Sequence, residues 1–282
     1  MEPQPSVPPS LRDLLRRFRL RPRKAFGQNF LVDEHVLERI VQAADLEPSD
    51  LVLEVGPGLG VLTQELAKRV RRVVAVELDQ DVATALRRLM ADKPTVEIVT
   101  EDILEFDPAE RLGGQPYKML ANLPYYITSP TLRHFLEARV KPGMMVVMVQ
   151  REVAERLVAR PNDMSLLSVS VQVYGDPRLI TVVDPSSFYP PPKVESAVVR
   201  IDVYPKPAVD VDLAKFFRVV QAGFSQPRKQ LHNTLNQAIW MPPRVAKEAL
   251  EAAGITPTRR AETLSLQEWA DVTRELELRG LV

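Results

Sequence analysis

The sequence predicts an α/β fold, a parallel sheet covered by helices on both faces, followed by a small all-helical domain. From Leu51 onward, short β-branched runs alternate with amphipathic stretches; glycines crowd the end of the first run; and beyond about Pro205 the pattern is helical only. Alternation at this spacing calls for parallel strands, because each return crossover needs a helix to carry the chain back along the sheet. Ligands on such sheets bind beyond the carboxyl ends of the strands, near the point where strand order reverses. The residues just after each strand are therefore the informative part of the chain.

In chain order, a Pro-rich opening leads to an amphipathic stretch at Leu11–Leu20. Leu51–Val55 reads as a strand, Val61–Val70 as a helix, Arg72–Glu77 as a strand and Asp81–Met90 as a helix. The alternation continues with strands at Val96–Val99 and Tyr117–Ala121, a helix at Thr131–Ala138, and the strand Met144–Gln150 running into a helix from Glu152. Pro190, Pro191 and Pro192 form a stiff turn before a strand at Val194–Val203. Helices are expected at Leu213–Gly223, Lys229–Ala238, Arg244–Ala253 and Leu266–Leu278. A boundary near Tyr204–Ala208 gives an α/β domain over 1–205 and a helical domain over 206–282.

Composition removes several chemistries. Cysteine is absent from the 282 residues, which excludes disulfides, thiolate metal sites and a cysteine nucleophile. The three histidines, His35, His134 and His232, are scattered singly, so no metal is expected. No apolar run nears the ~18 residues of a membrane span, and nothing at the N-terminus has the pattern of a secretory signal; a cytoplasmic location is expected. Net charge is zero, yet Arg12, Arg16, Arg17, Arg19, Arg21, Arg23 and Lys24 lie together against only Glu2 and Asp13. That run fits a phosphate-binding arm or the solvated face of an amphipathic helix, and the pattern alone leaves both open.

The first strand ends in Glu54-Val55-Gly56-Pro57-Gly58-Leu59-Gly60, where glycines permit a tight turn and close ligand approach. A dinucleotide fingerprint needs its third glycine at 61, which is valine. An acidic residue before Gly-x-Gly-x-Gly resembles instead the first motif of class I methyltransferases. Glu77, ending the second strand, can accept bonds from both hydroxyls of a ribose, while Asp79 suits a helix cap. Asp102, after the third strand, can accept from an adenine amine, although its position alone does not decide this. After the fourth strand comes Asn122-Leu123-Pro124-Tyr125, similar to the Asn/Asp-Pro-Pro-Tyr motifs of amino-group methyltransferases. The Asn122 amide oxygen and the Leu123 carbonyl can each accept one hydrogen of an amine. Its nitrogen lone pair is then drawn out of conjugation, and Tyr125 offers a ring for a base to stack on.

Lys24-Ala25-Phe26-Gly27-Gln28-Asn29-Phe30-Leu31, Leu53–Gly60, Asn122–Pro130, Phe188–Val199, Arg228-Lys229, Leu235 and Arg260–Ser265 resemble, in order, the motifs of the ribosomal RNA adenine dimethyltransferase family. The match runs from about Leu20 to the end. It implies a class I, Rossmann-like methyltransferase domain that uses S-adenosylmethionine to dimethylate two adjacent adenines in small-subunit ribosomal RNA. By resemblance, Asn29 and Leu31 close over the cofactor, Gly56 and Gly58 meet its methionine part, Glu77 its ribose and Asp102 its adenine. Asn122 bridges cofactor and target amine, and Tyr125 and Phe188 sandwich a flipped base. Two positions depart from the family pattern. Tyr126 stands where many bacterial members have Asn, and Pro227–His232 carries only Arg228 and Lys229 where the family often has more arginines.

The expected partner is small-subunit rRNA, within an assembling 30S particle, met by a monomer through Arg21, Arg23, Lys24, Arg228 and Lys229. Because Asn29 and Leu31 lie beyond residue 20, removal of residues 1–20 is expected to weaken RNA binding and leave cofactor affinity untouched. The rival expectations are a large-subunit rRNA methyltransferase of the antibiotic-resistance type and a non-catalytic assembly protein.

Overall fold

A computed structural model of the chain describes residues 11–23 and 27–282, the side chain of Arg12 aside. Lys24 and Phe26, two residues of the opening motif, lie outside the described residues. The first element, α1 (Leu11–Arg17), turns Leu14 and Leu15 inward onto Phe30, Leu59 and Ala85, while Arg16 and Arg17 are exposed. A two-residue strand, β1 (Phe30–Leu31), precedes α2 (Glu34–Ala43), whose N-cap Asp33 accepts from the amides of His35 and Val36.

The central alternation runs through β2 (Leu51–Val55), α3 (Val61–Ala67), β3 (Arg72–Glu77), α4 (Gln80–Leu89), β4 (Val96–Thr100), α5 (Pro108–Arg111), β5 (Lys118–Asn122), α6 (Thr128–Glu137) and β6 (Met144–Gln150). These five strands are parallel, in spatial order β4-β3-β2-β5-β6. Every residue of β2 is buried, as a central strand covered on both faces requires. Order reverses between β2 and β5, where Val55 pairs with Ala121, so the glycine turn after β2 and Asn122 at the end of β5 meet at the switch point.

The chain continues through α7 (Arg151–Leu157), α8 (Leu166–Gln172), β7 (Gly175–Val183), β8 (Phe188–Tyr189) and β9 (Ser196–Val203). Strands β9 and β7 complete a seven-stranded sheet, and β8 pairs antiparallel with β1 through Leu31↔Phe188 and Phe30↔Tyr189. Helices α9 (Leu213–Phe224), α10 (Leu231–Ile239), α11 (Pro243–Ala252) and α12 (Leu266–Leu278) end the chain.

Two compact units result, Met1–Arg151 with Leu179–Arg200, and Glu152–Arg178 with Ile201–Val282. The division differs from the expected boundary at 205/206, since residues 152–178 group with the helices. Local bonds explain it. The amides of Asn162 and Met164 donate to the Glu262 carbonyl, and those of Tyr204 and Ala208 to the carbonyls of Tyr174 and Val173. Within this second unit Trp269 is fully buried against Gly223, where an added Cβ would fall 2.3 Å from the indole. None of the described helices is long and apolar enough to cross a membrane.

Candidate active site

A cavity of about 260 Å³ opens at the switch point, inside the first unit. Its walls include Asn29, Leu31, Gly56, Gly58, Glu77, Asp102, Asn122, Leu123, Tyr125 and Phe188. Every residue expected from the sequence to hold cofactor or target base thus lines one space. Of the expected RNA contacts, the described Arg21, Arg23, Arg228 and Lys229 do not line it.

The glycine turn makes one wall. Gly58 has φ +57°, and a Cβ there would press to 3.0 Å from the Phe30 ring, so β1 and the turn approach in a way only glycine allows. The Gly56 amide continues the ladder to the Val76 carbonyl at 3.0 Å. Across the turn, Glu77 is 8% exposed; its Oε2 accepts from the Gly58 amide at 3.3 Å and its Oε1 from the Asp79 amide at 2.9 Å. Burial pushes this carboxyl above its ordinary value. Asp79 caps α4, accepting from the amides of Asp81 and Val82. Asp102 accepts from the Leu104 amide at 2.9 Å through Oδ1, and its second oxygen has no hydrogen bond among the described residues.

The opposite wall is the turn after β5. The Asn122 amide nitrogen donates to the Asn29 carbonyl at 3.2 Å, leaving Oδ1 as the acceptor. The Leu123 amide bonds to the Met148 carbonyl, whereas the Leu123 carbonyl receives none of the backbone bonds around the turn among the described residues. The site therefore holds the two acceptors that an amine needs. Tyr125 shares a hydrogen bond of 2.9 Å with Ser196 Oγ, which fixes its ring. Phe188 is buried in the apolar core and also reaches the cavity, held beside Leu31 by the β1–β8 pair.

Two residues of the site, Glu54 in the cavity wall and Ser196 behind Tyr125, went unassigned in the sequence. Glu54 was noted only as the acid before the glycines; it is 2% exposed, its Oε2 has no hydrogen-bond partner, and burial pushes its pKa up to about 8. Its central position on β2 carried the signal, because alternation places Glu54 inside a fully buried strand. Ser196 had no signal beyond its motif.

The arm departs from expectation. Arg23 bonds to Asp79 at 3.0 Å and Asp81 at 2.7 Å, and Gln28 reaches the same Asp79 oxygen at 3.1 Å. Its guanidinium thus joins the arm to the first turn of α4, beside the cavity, rather than standing alone for phosphate. Arg21 is exposed. In the second unit, Arg228 and Lys229 are exposed on the turn between α9 and α10. Residues 1–20 were expected to be separable from the cofactor site, yet Leu14 and Leu15 pack on Phe30, the ring that rests against Gly58.

A glycine cradle, a carboxylate at the end of β3 and two acceptors at the end of β5 define a class I, S-adenosylmethionine-dependent methyltransferase. More narrowly, the chain belongs to the ribosomal RNA adenine dimethylase family, whose model matches residues 19–278. A ribosomal RNA small subunit methyltransferase A from Dehalococcoides mccartyi is 50% identical over 268 residues, covering 94% of this chain and 92% of that protein. One from Pelotomaculum thermopropionicum is 46% identical over 280 residues, covering 94% and 95%. The crystal structure of ErmE, a 23S rRNA methyltransferase, has a TM-score of 0.72 at 29% identity over 88% of this chain and 100% of that one. A dimethyladenosine transferase from Plasmodium falciparum shares the fold, with a TM-score of 0.76 at 23% identity over 89% of this chain.

Proposed function

We propose that this chain dimethylates the N6 amines of two adjacent adenosines in a hairpin loop of small-subunit (16S) rRNA, acting as a monomer on an assembling small subunit. The observation that carries the reading is the Asn122 side chain, locked by the Asn29 carbonyl with Oδ1 left as acceptor in the cavity at the switch point. The small-subunit relatives, at up to 50% identity, favour that RNA over the large-subunit substrate named for ErmE at 29%.

The residues fit the cofactor on their own terms. Gly56 and Gly58 leave the close approach a Cβ would fill, Glu77 is an acceptor for ribose, and Asp102 keeps one oxygen for an adenine amine. Bound there, S-adenosylmethionine supplies an electrophilic methyl group. The chain's own work is on the nucleophile. An adenine amine is weakly nucleophilic because its lone pair is delocalised into the ring. Asn122 Oδ1 and the Leu123 carbonyl each hold one amine hydrogen, which favours a pyramidal nitrogen with its lone pair turned toward the donor. Tyr125 and Phe188 grip the flipped base from its two faces. No basic side chain is needed, since the amine becomes acidic once methylated and releases its proton afterwards.

The test is to incubate the protein with radiolabelled S-adenosylmethionine and under-methylated small subunits, then map the label by primer extension. Stops at two adjacent adenosines of a small-subunit hairpin loop are expected. Label confined to large-subunit RNA in a parallel reaction, or none in either with cofactor bound, would replace this reading by one of its rivals.

A further inference from the structure

The helical unit carries an aromatic residue that neither its core nor the active site uses. Trp240 is 92% exposed, whereas Trp269 is wholly buried. It ends α10 in the left-handed region, at φ 57° and ψ 47°, with its own amide and that of Met241 both donating to the Asn236 carbonyl. Helices commonly end this way on glycine, which meets no Cβ penalty there. A fully exposed indole at such a position brings the fold backbone strain and no buried area. Strain kept without a packing reason points to a use for the side chain.

The surrounding charge says what it meets. From Leu213 to Lys247 the chain has no carboxylate and six cations, Lys215, Arg218, Arg228, Lys229, Arg244 and Lys247, while the whole chain is neutral. Lys215 pairs with Glu277 and Arg244 with Glu248. Arg218, Arg228, Lys229 and Lys247 are exposed and enter no ion pair among the described residues. Arg228 and Lys229 sit on a turn closed by the Lys229 amide on the Gln226 carbonyl, and Gln226 Nε2 donates to Gln237 Oε1 at 2.6 Å. That bond ties the basic turn to the last turn of α10, three residues before Trp240.

We infer that Trp240 is a stacking platform for an unpaired base of the substrate RNA, flanked by the Arg228–Lys229 turn for the adjoining phosphates. An exposed ring beside unpaired cations is how proteins hold single-stranded nucleic acid, since every base has a π-face and every phosphate a charge. The inference rests on the proposed RNA substrate and adds a second contact, in the helical unit, to the flipped adenine.

The test uses the full-length protein with naked small-subunit rRNA and with under-methylated small subunits. RNA should quench the solvent-exposed component of tryptophan emission, the buried Trp269 giving a constant background. Trp240→Gly relieves the left-handed position, so its thermal midpoint should be equal or higher and its cofactor affinity unchanged. Its affinity for both RNA probes should fall roughly 5- to 150-fold, the range for one stacked base, and Trp240→Phe should recover much of the loss. If the wild type binds and methylates the subunits and Trp240→Gly binds naked rRNA equally well, the stacking role is overturned. Loss of binding to subunits alone would assign Trp240 to a ribosomal protein instead. A wild type that binds neither probe would sink the RNA-substrate reading itself.

Discussion

The Tyr125 hydroxyl lies 2.9 Å from the Ser196 hydroxyl, joining the turn after β5 to the first residue of β9. The ring proposed to stack on the target base is therefore held by a strand 71 residues away. One such hydrogen bond is worth about 0.5–1.5 kcal/mol. Tyr125→Phe and Ser196→Ala should each lower kcat/KM by roughly 2- to 10-fold, and the double variant should fall no further, because both remove one interaction. Fully additive losses in steady-state methylation assays would show that the two residues act separately.

Asn122 and Glu77 should separate chemistry from cofactor binding. Asn122→Ala removes a positioned acceptor, so methyl transfer should drop by about 10²-fold, near 3 kcal/mol, with a much smaller change in cofactor affinity. Glu77→Ala should weaken cofactor binding by about 2–4 kcal/mol through lost charge-assisted bonds. It should also lower the melting temperature without cofactor, because the Gly58 and Asp79 amides lose their acceptor. Isothermal titration and single-turnover kinetics on both variants would distinguish these effects, and the reverse pattern would exchange the two roles.

Stability should fall as pH rises, because of Glu54. Its buried carboxyl titrates at about 8 in the folded chain against an ordinary value of 4.5. Between those values the native state keeps a proton that the unfolded state has released. The stabilisation is thus complete below about pH 4.5 and lost as pH climbs through 8. Glu54→Gln, which stays neutral, should flatten the dependence. Calorimetric melts of both proteins from about pH 5 to 8.5 measure it, and parallel curves would remove Glu54 as the cause.

Deleting residues 1–20 should disturb the cofactor site from a distance. The cut strips Leu14 and Leu15 from Phe30, Leu59 and Ala85, and Phe30 is the ring against Gly58. A lower melting temperature and cofactor affinity reduced several-fold are expected. Identical titration isotherms for truncated and full-length protein would show the packing to be irrelevant to binding.

What the sequence determined by itself is local. Short β-branched runs and helical spacing over 51–150 gave the five parallel strands, with Leu51–Val55, Arg72–Glu77 and Met144–Gln150 ending where expected. Gly56, Gly58, Glu77, Asp102 and Asn122, at or just beyond the ends of the first four of these strands, line the cavity because a parallel sheet puts the carboxyl ends of its strands on one edge. Tertiary structure decided what periodicity does not encode. The two-residue strands β1 and β8 are too short to show alternation, so the Leu31–Phe188 pairing was invisible, and Pro177 separately obscured β7. Chain order did not reveal that residues 152–178 join the helices, because bonds such as Asn162 to Glu262 span a hundred residues. The pairing of Arg23 with Asp79, the orphaned oxygen of Glu54 and the exposure of Trp240 arise from which elements meet, and a side chain's partners exist only once the chain has folded.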